Sequence, residues 1–280
     1  MNSVVSSVAS SDVRVAREGY YSDRRAARVA KLVAGIGLFG LAFWSVEYLR
    51  IPIERFAEMF GRLGAWVATR LFPPDLEYAV TDQIVFSVFE TIEMSLLGAA
   101  FGTLISIPVA WFAAWNVTPN RRVLYPFGRG VLIVTRAVPV IIWGMLLVEI
   151  LGFGPIAGTV ALTLLTIGFA GKLMAEQVEA IDMGPVEALR ATGANRICTF
   201  VYAVLPQVKP AWAGIIIYNW DSVFRASTVL GFVGAGGLGM FIRMQVDVLD
   251  HQKAFGIITV IIVLVIGSEV ASHFLRQRFQ

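Results

Sequence analysis

The sequence predicts an all-α polytopic membrane protein with six spanning helices and both termini on the cytoplasmic side. Three observations predict it. The 280 residues are 57% hydrophobic and only 15% charged, with a mean hydropathy of +0.71, whereas an ordinary soluble domain carries about 25% charged residues. Six runs approach the roughly 20 apolar residues needed to cross a 30 Å hydrocarbon core. With the N-terminus inside, 15 of the 23 lysines and arginines fall on the cytoplasmic side, six fall outside, and Arg136 and Arg225 lie within spans, as the positive-inside rule requires.

The elements follow in order. Residues 1–31 read as a cytoplasmic tail, and 32–280 as one transmembrane domain with its core at about 83–275. The first span, 32–49, is too long for a signal-peptide core and has no small-x-small site after it, so it is expected to remain uncleaved. Residues 51–75 alternate charged and apolar groups near helical spacing, suiting either a helix on the outer membrane surface or a packed loop. The second span has an uncharged centre at 94–115 and begins near Gln83. The third, 130–151, carries Arg136 and Glu149. The fourth, 156–171, is short but extends through Lys172, whose stem can snorkel. The fifth, 210–230, contains Asp221 and Arg225, and the sixth is 254–274.

Between the fifth and sixth spans lies "GFVGAGGLGM", with Gly234, Gly236 and Gly239 at the spacing GxGxxG. That pattern marks a dinucleotide site only between a strand and a helix, and none is expected here, on the outer side where nucleotides are scarce. Gly231, Gly234, Gly236, Gly237 and Gly239 instead predict a re-entrant or gate-forming turn, because glycine tolerates positive φ and close backbone approach. Such irregular backbone survives at membrane depth only inside protein or beside water.

The longest cytoplasmic loop is "DMGPVEALRATGANRICTFVYAVLP", residues 182–206. Pro185 suits a first helical turn, Glu187 suits the positive end of the helix dipole, and Gly193 can end the helix. A helix over 185–192 is predicted, with Val186 and Leu189 on one face. So short a helix needs a surface to pack on, and on spacing alone it could simply cap the bundle.

These residues resemble the EAA motif of ABC-importer permeases, a Glu-Ala-Ala followed at fixed separations by Gly and Leu-Pro. Glu187, Ala188, Gly193, Leu205 and Pro206 match; Leu189 replaces the third motif residue and Ala203 stands where Ile is usual. The resemblance implies a type I ABC importer permease fold, with Pro185, Glu187, Ala188, Leu189, Gly193, Leu205 and Pro206 in a coupling segment that docks on an ATPase. Across roughly 85–275 the chain is most similar to phosphonate-transporter permeases, through "ETIEMSLLGAAFGTLISIPVAWFAAWN", "RAVPVIIWGMLLVEILGFGPIAGTVAL" and "RASTVLGFVGAGGLG". Methionine-type permeases share the glycine-rich and coupling segments but match the first two less well.

The implied function is an importer subunit for phosphonate or a related phosphorus oxoanion such as phosphate or phosphite. The implied assembly is a second copy of the chain, two ATPase subunits and an extracytoplasmic substrate-binding protein, in the lipid of a bacterial inner membrane. ATP and Mg belong on the partner ATPase. In agreement, the chain lacks GxxxxGK followed by Ser or Thr, the phosphate-cradling loop: Lys172 follows Gly171, but Leu173 comes next.

Charges inside spans need partners, since an arginine near the bilayer centre costs at least about 2.5–3.5 kcal/mol. Asp221 and Arg225 share a helix face and can pair, either as a structural lock or as a polar patch along a substrate path. Arg136 has no acid at helical spacing, so its partner must come from another span, with Glu90, Glu93 and Glu149 as candidates. Gly98 and Gly102 form a GxxxG pattern that permits close helix packing, and Pro108 and Pro139 can kink their spans. His251 and His273 stand alone and support neither a metal site nor a nucleophile. No catalytic constellation is present, and no nucleic-acid partner is expected. The competing class, an autonomous channel or secondary transporter using Arg136 and the Asp221–Arg225 pair, should show related halves, and none is visible in the sequence.

Overall fold

The computed structural model describes residues 30–48 and 53–279, which form helices and turns without a strand. The expected tail, 1–31, lies outside the described residues except for Ala30 and Lys31. The chain divides into two compact units at Ala65 and Trp66. In the first, α1 (Ala30–Tyr48) is the first span by length and composition, and its apolar Leu38, Phe39 and Trp44 side chains are exposed. Residues 51–75 do contain a helix, α2 (Ile53–Trp66), followed by a π-helical turn, Val67–Leu71.

The second unit is the body of the molecule. After the short α3 (Leu76–Ala79), whose first turn is capped by the Asp75 carboxylate accepting from Tyr78 N at 2.8 Å, α4 (Asp82–Ala113) runs unbroken past Pro108. The third expected span is a different structure. Instead of one helix over 130–151 there are two, α5 (Leu124–Ala137) and α6 (Val140–Leu151), bent by 92°. The cause is Pro139, which disfavours helical backbone in the residue before it: Val138 is extended, at φ −97° and ψ 120°. Among the described residues five helices are long and apolar enough to cross a membrane, and the bent pair makes a sixth.

The fourth span, α7 (Pro155–Glu179), continues well beyond Lys172, which pairs with Glu176 at 3.3 Å. There follow α8 (Gly184–Ala191), α9 (Arg196–Thr199), a π-helical turn (Phe200–Val204), α10 (Leu205–Leu230), a 3₁₀ turn (Gly231–Val233), α11 (Leu238–Asp247) and α12 (His251–Phe279). At the start of α12 the Lys253 ammonium, 2.9 Å from Asp250, and the Lys253 N–H hold the Asp250 carboxyl below the usual carboxylate range.

The closest helix contact joins α4 to α7. A Cβ on Gly98 would lie 2.6 Å from Leu162 Cβ, and one on Gly102 would lie 2.3 Å from Thr166 Cβ. The GxxxG glycines are therefore the residues that let these two backbones meet. Around the pair sit three buried clusters: one at the α8 end with Met174, Val178, Val186 and Val204, one in the middle with Met94, Leu162 and Leu230, and one at the far end with Ile84, Leu238 and Ile257. Exposed Phe86, Phe89, Leu104 and Ile150 leave an apolar exterior suited to lipid or a partner helix.

This packing predicts that Gly102→Leu destabilises the fold by about 1–3 kcal/mol or more, the usual cost of overpacking a fitted contact. Gly130→Leu, where added atoms meet open space, should be nearly neutral. Thermal unfolding of both variants in detergent checks this, and equal melting temperatures would refute it.

Candidate functional site

Two irregular segments lie at opposite ends of α7, separated by about 37 Å of helix at 1.5 Å per residue. Beyond its C-terminus is the 182–206 segment. The expected helix over 185–192 is α8, Gly184–Ala191, with Pro185 in its first turn and Glu187 beside it. Gly193 N donates to Arg190 O at 3.0 Å and Ala194 N to Leu189 O at 3.3 Å, the paired bonds of a Schellman ending. That ending needs the left-handed backbone Gly193 supplies at φ 80°. Asn195 then caps α9, its side chain accepting from Cys198 N at 2.8 Å, so the chain turns a sharp corner between two short helices.

The inner face of α8 is fixed. Val186 is fully buried among Val178, Val204 and Val208, and Leu189 and Leu205 pack on the same cluster. Pro185, Glu187, Ala188 and Pro206 face outward. Polar residues that spacing did not reveal complete the anchorage. Gln207 clasps the backbone of Asp182, donating to its carbonyl at 3.2 Å and accepting from its N–H at 3.1 Å. Asn116 donates to Val178 O at 2.8 Å. Arg129 pairs with Glu179 at 2.5 Å and donates to Ala113 O at 2.9 Å, tying α5 and α7 to the end of α4. The sequence held one local hint: Asp182 stands two residues before Gly184 and accepts its N–H at 3.0 Å, an Asx turn. The long-range partners had none.

At the N-terminal end of α7 is the glycine turn. Gly234, Gly236 and Gly237 have φ of 87°, 86° and 70°, and all lie buried with Gly231 and Gly239. A Cβ on Gly239 would lie 2.1 Å from Thr228 O, and one on Gly236 would lie 2.9 Å from Pro155 N. The turn's polar backbone is satisfied across helices. Gly154 N donates to Gly234 O at 3.1 Å, Gly237 N to a Glu90 carboxylate oxygen at 3.1 Å, and Leu238 N to Thr91 Oγ1 at 3.0 Å. Glu90 thus places its charge at the positive end of α11.

This corrects the expected pairing of Arg136. Glu90 serves the glycine turn, Glu93 and Glu149 are exposed and bond to nothing among the described residues, and Arg136 makes no ion pair there either. Its stem packs against α7, where a Cβ on Gly168 would lie 2.7 Å from Arg136 Cγ. Glu149 is out of reach with or without the 92° bend, since the 13 residues between it and Arg136 span about 20 Å even of straight helix. Asp221 and Arg225 do pair, at 2.6 Å, and Ser268 of α12 donates to Asp221 at 3.3 Å.

Residues 106–280 match the family of binding-protein-dependent transport system inner membrane components. Over 253 residues, 90% of this chain and 87% of the relative, the sequence is 34% identical to a putative phosphite transport system permease protein, HtxC, of Stutzerimonas stutzeri. Over 252 residues it is 37% identical to the phosphate-import permease protein PhnE of Mycolicibacterium smegmatis, again covering 90% of this chain but 47% of that longer protein. The fold is similar to a chain of the inward-facing MetNI methionine ABC transporter, with a TM-score of 0.59 at 22% identity, covering 70% of this chain and 95% of that one.

The Glu90 contact predicts that Glu90→Ala speeds hydrogen exchange across 231–240 by roughly 10- to 150-fold, since a bond to a charged group is worth about 1.5–3 kcal/mol. Glu93→Ala, one turn away, should leave it unchanged, and equal effects from both would exclude the assigned role.

Proposed function

The chain belongs to the family of binding-protein-dependent transport system inner membrane components, and from that membership we propose that it is the permease subunit of an ATP-driven importer for phosphorus oxoanions. The observation that carries the substrate class is its identity of 34% and 37%, over nine-tenths of its length, to permeases named for phosphite and phosphate. In this reading two copies of the chain form the pathway in the inner membrane, a binding protein outside delivers phosphite, phosphate or phosphonate, and two ATPase subunits inside hold ATP and Mg.

The coupling element is α8. Its outward residues, Glu187 and Ala188 with Pro185 and Pro206 beside them, form the docking face, and Val186 and Leu189 are the grip on the body. Because Val186 sits among side chains of α7 and α10, a pull on α8 moves both spans together instead of bending a loose loop. Both spans lead to the far end: α7 begins beside the glycine turn and α10 ends in it. Closure of the ATPases would in this way be transmitted across the membrane. Arg136, exposed at the α5–α6 elbow, gives the pathway a cationic wall that lowers the barrier for an anion.

Vanadate-sensitive ATP hydrolysis by the chain reconstituted with its ATPase tests the reading. Binding protein loaded with phosphite, phosphate or phosphonate should stimulate it. ATP-independent solute flux with no ATPase copurifying would reject it. Gly193→Val, forced toward positive φ at about 1–2 kcal/mol, should cut stimulated hydrolysis about tenfold, while Gly193→Asn should retain most of it. Arg136→Ala should lower transport with dimer assembly intact; loss of the dimer instead would assign Arg136 a structural role.

A further inference from the structure

Beside α8 the structure contains a cavity of about 500 Å³ that the transport reading does not use. Three arginines line it from separate segments: Arg121 from the α4–α5 connection, Arg190 from the last turn of α8, and Arg196 from the start of α9. No carboxylate lines it among the described residues. Arg121 uses Nε on Trp115 O at 3.0 Å and lies over the Trp115 ring at 5.4 Å, which leaves its two terminal nitrogens free. Arg190 and Arg196 have no side-chain hydrogen bond or ion pair among the described residues. Three like charges around one hollow repel one another.

Two further residues of the cavity point to the ligand. Asn116 and Thr118 are more than nine-tenths buried, yet Asn116 Oδ1 and Thr118 Oγ1 have no hydrogen-bond partner. Asn116 cannot turn its amide to hide the oxygen, because Nδ2 is committed to Val178 O at 2.8 Å. A buried group left unpaired costs about 1–3 kcal/mol, and such groups usually mark a missing partner. Guanidiniums and a hydroxyl donate; a lone amide oxygen accepts. The complement is an oxoanion that carries its own proton. The hollow does not suit a base, since Trp111 and Phe200, its aromatic wall, are stacked on each other at 4.8 Å.

We propose that this cavity binds a protonated tetrahedral oxoanion of the phosphate type, its oxygens held by Arg121, Arg190, Arg196 and Thr118 and its P–OH donated to Asn116. Arginine suits phosphate oxygens through its planar fork. A bound anion would tie the α4–α5 connection to α8 and α9, so on the proposed transport reading accumulated product at this face would restrain α8. The binding claim itself requires neither ATPase nor transport. The same chemistry is offered by free phosphate and by an anionic lipid headgroup.

The test is calorimetric titration of the full chain, in phosphatidylcholine nanodiscs, with inorganic phosphate and with sulfate, which has no proton to give at neutral pH. Saturable phosphate binding is expected, weaker for sulfate by about tenfold, and reduced about tenfold or more in Arg196→Gln and Arg121→Gln, the loss of one charge-assisted bond. Arg243→Gln should not change it. Repeating the titration with phosphatidylglycerol in the disc separates the sources: undiminished phosphate binding assigns the site to the free anion, and competition abolished by Arg196→Gln assigns it to the headgroup. No saturable binding in either disc, equal affinity for sulfate, or indifference to both arginine variants overturns the proposal. Because the two arginines are exposed, the variants should elute and melt like the parent chain, so a lost signal reads as lost binding.

Discussion

The contact between α4 and α7 is the constraint on which the rest of the structure depends. Two glycines on one face bring the helices close enough that any side chain there would collide with Leu162 or Thr166. In a bilayer such closeness matters, because helices gain little from hydrophobic burial against one another and rely on fitted packing. The pair then carries a special segment at each end. Glu90 and Thr91 of α4 hold the glycine turn. At the other end Ala113 accepts from Arg129, which is bound to Glu179 of α7.

The glycine turn shows the second constraint, that backbone polar groups away from water must find partners within the protein. A helix satisfies its own; a turn with three residues at positive φ does not. The turn is stable because donors left free by the change of direction fall opposite a carboxylate and a hydroxyl on α4, and its carbonyl meets an N–H of the 152–155 loop. Glycine is needed at several positions for two separate reasons, backbone sign at Gly234, Gly236 and Gly237 and lack of space at Gly231 and Gly239. Between a strand and a helix the same pattern would cradle a phosphate; here the Glu90 carboxylate accepts from Gly237 N and supplies the negative charge itself.

The charges within spans divide by environment. Asp221 is buried, and both Arg225 and Ser268 serve it, so its charge is neutralised between α10 and α12. Arg136 is exposed at a bend.

The sequence by itself determined the class, five of the spans as continuous helices, and the short helix expected over 185–192, found at 184–191, with its glycine corner at Gly193. These follow from local rules: apolar length against bilayer thickness, proline at a helix start, and glycine at a left-handed ending. It also paired Asp221 with Arg225, which are neighbours on one helix. Tertiary structure decided what depends on distant chain segments. The third span looked continuous because hydropathy sums over residues and is blind to direction, while Pro139 turned it by 92°. Glu90, grouped with Arg136 by charge, found Gly237, 147 residues away. Gln207 on α10, the Arg129–Glu179 pair joining α5 to α7, and Asn116 in the turn after α4 hold the α8 end of the body, and no spacing rule relates residues whose proximity is set by how helices cross.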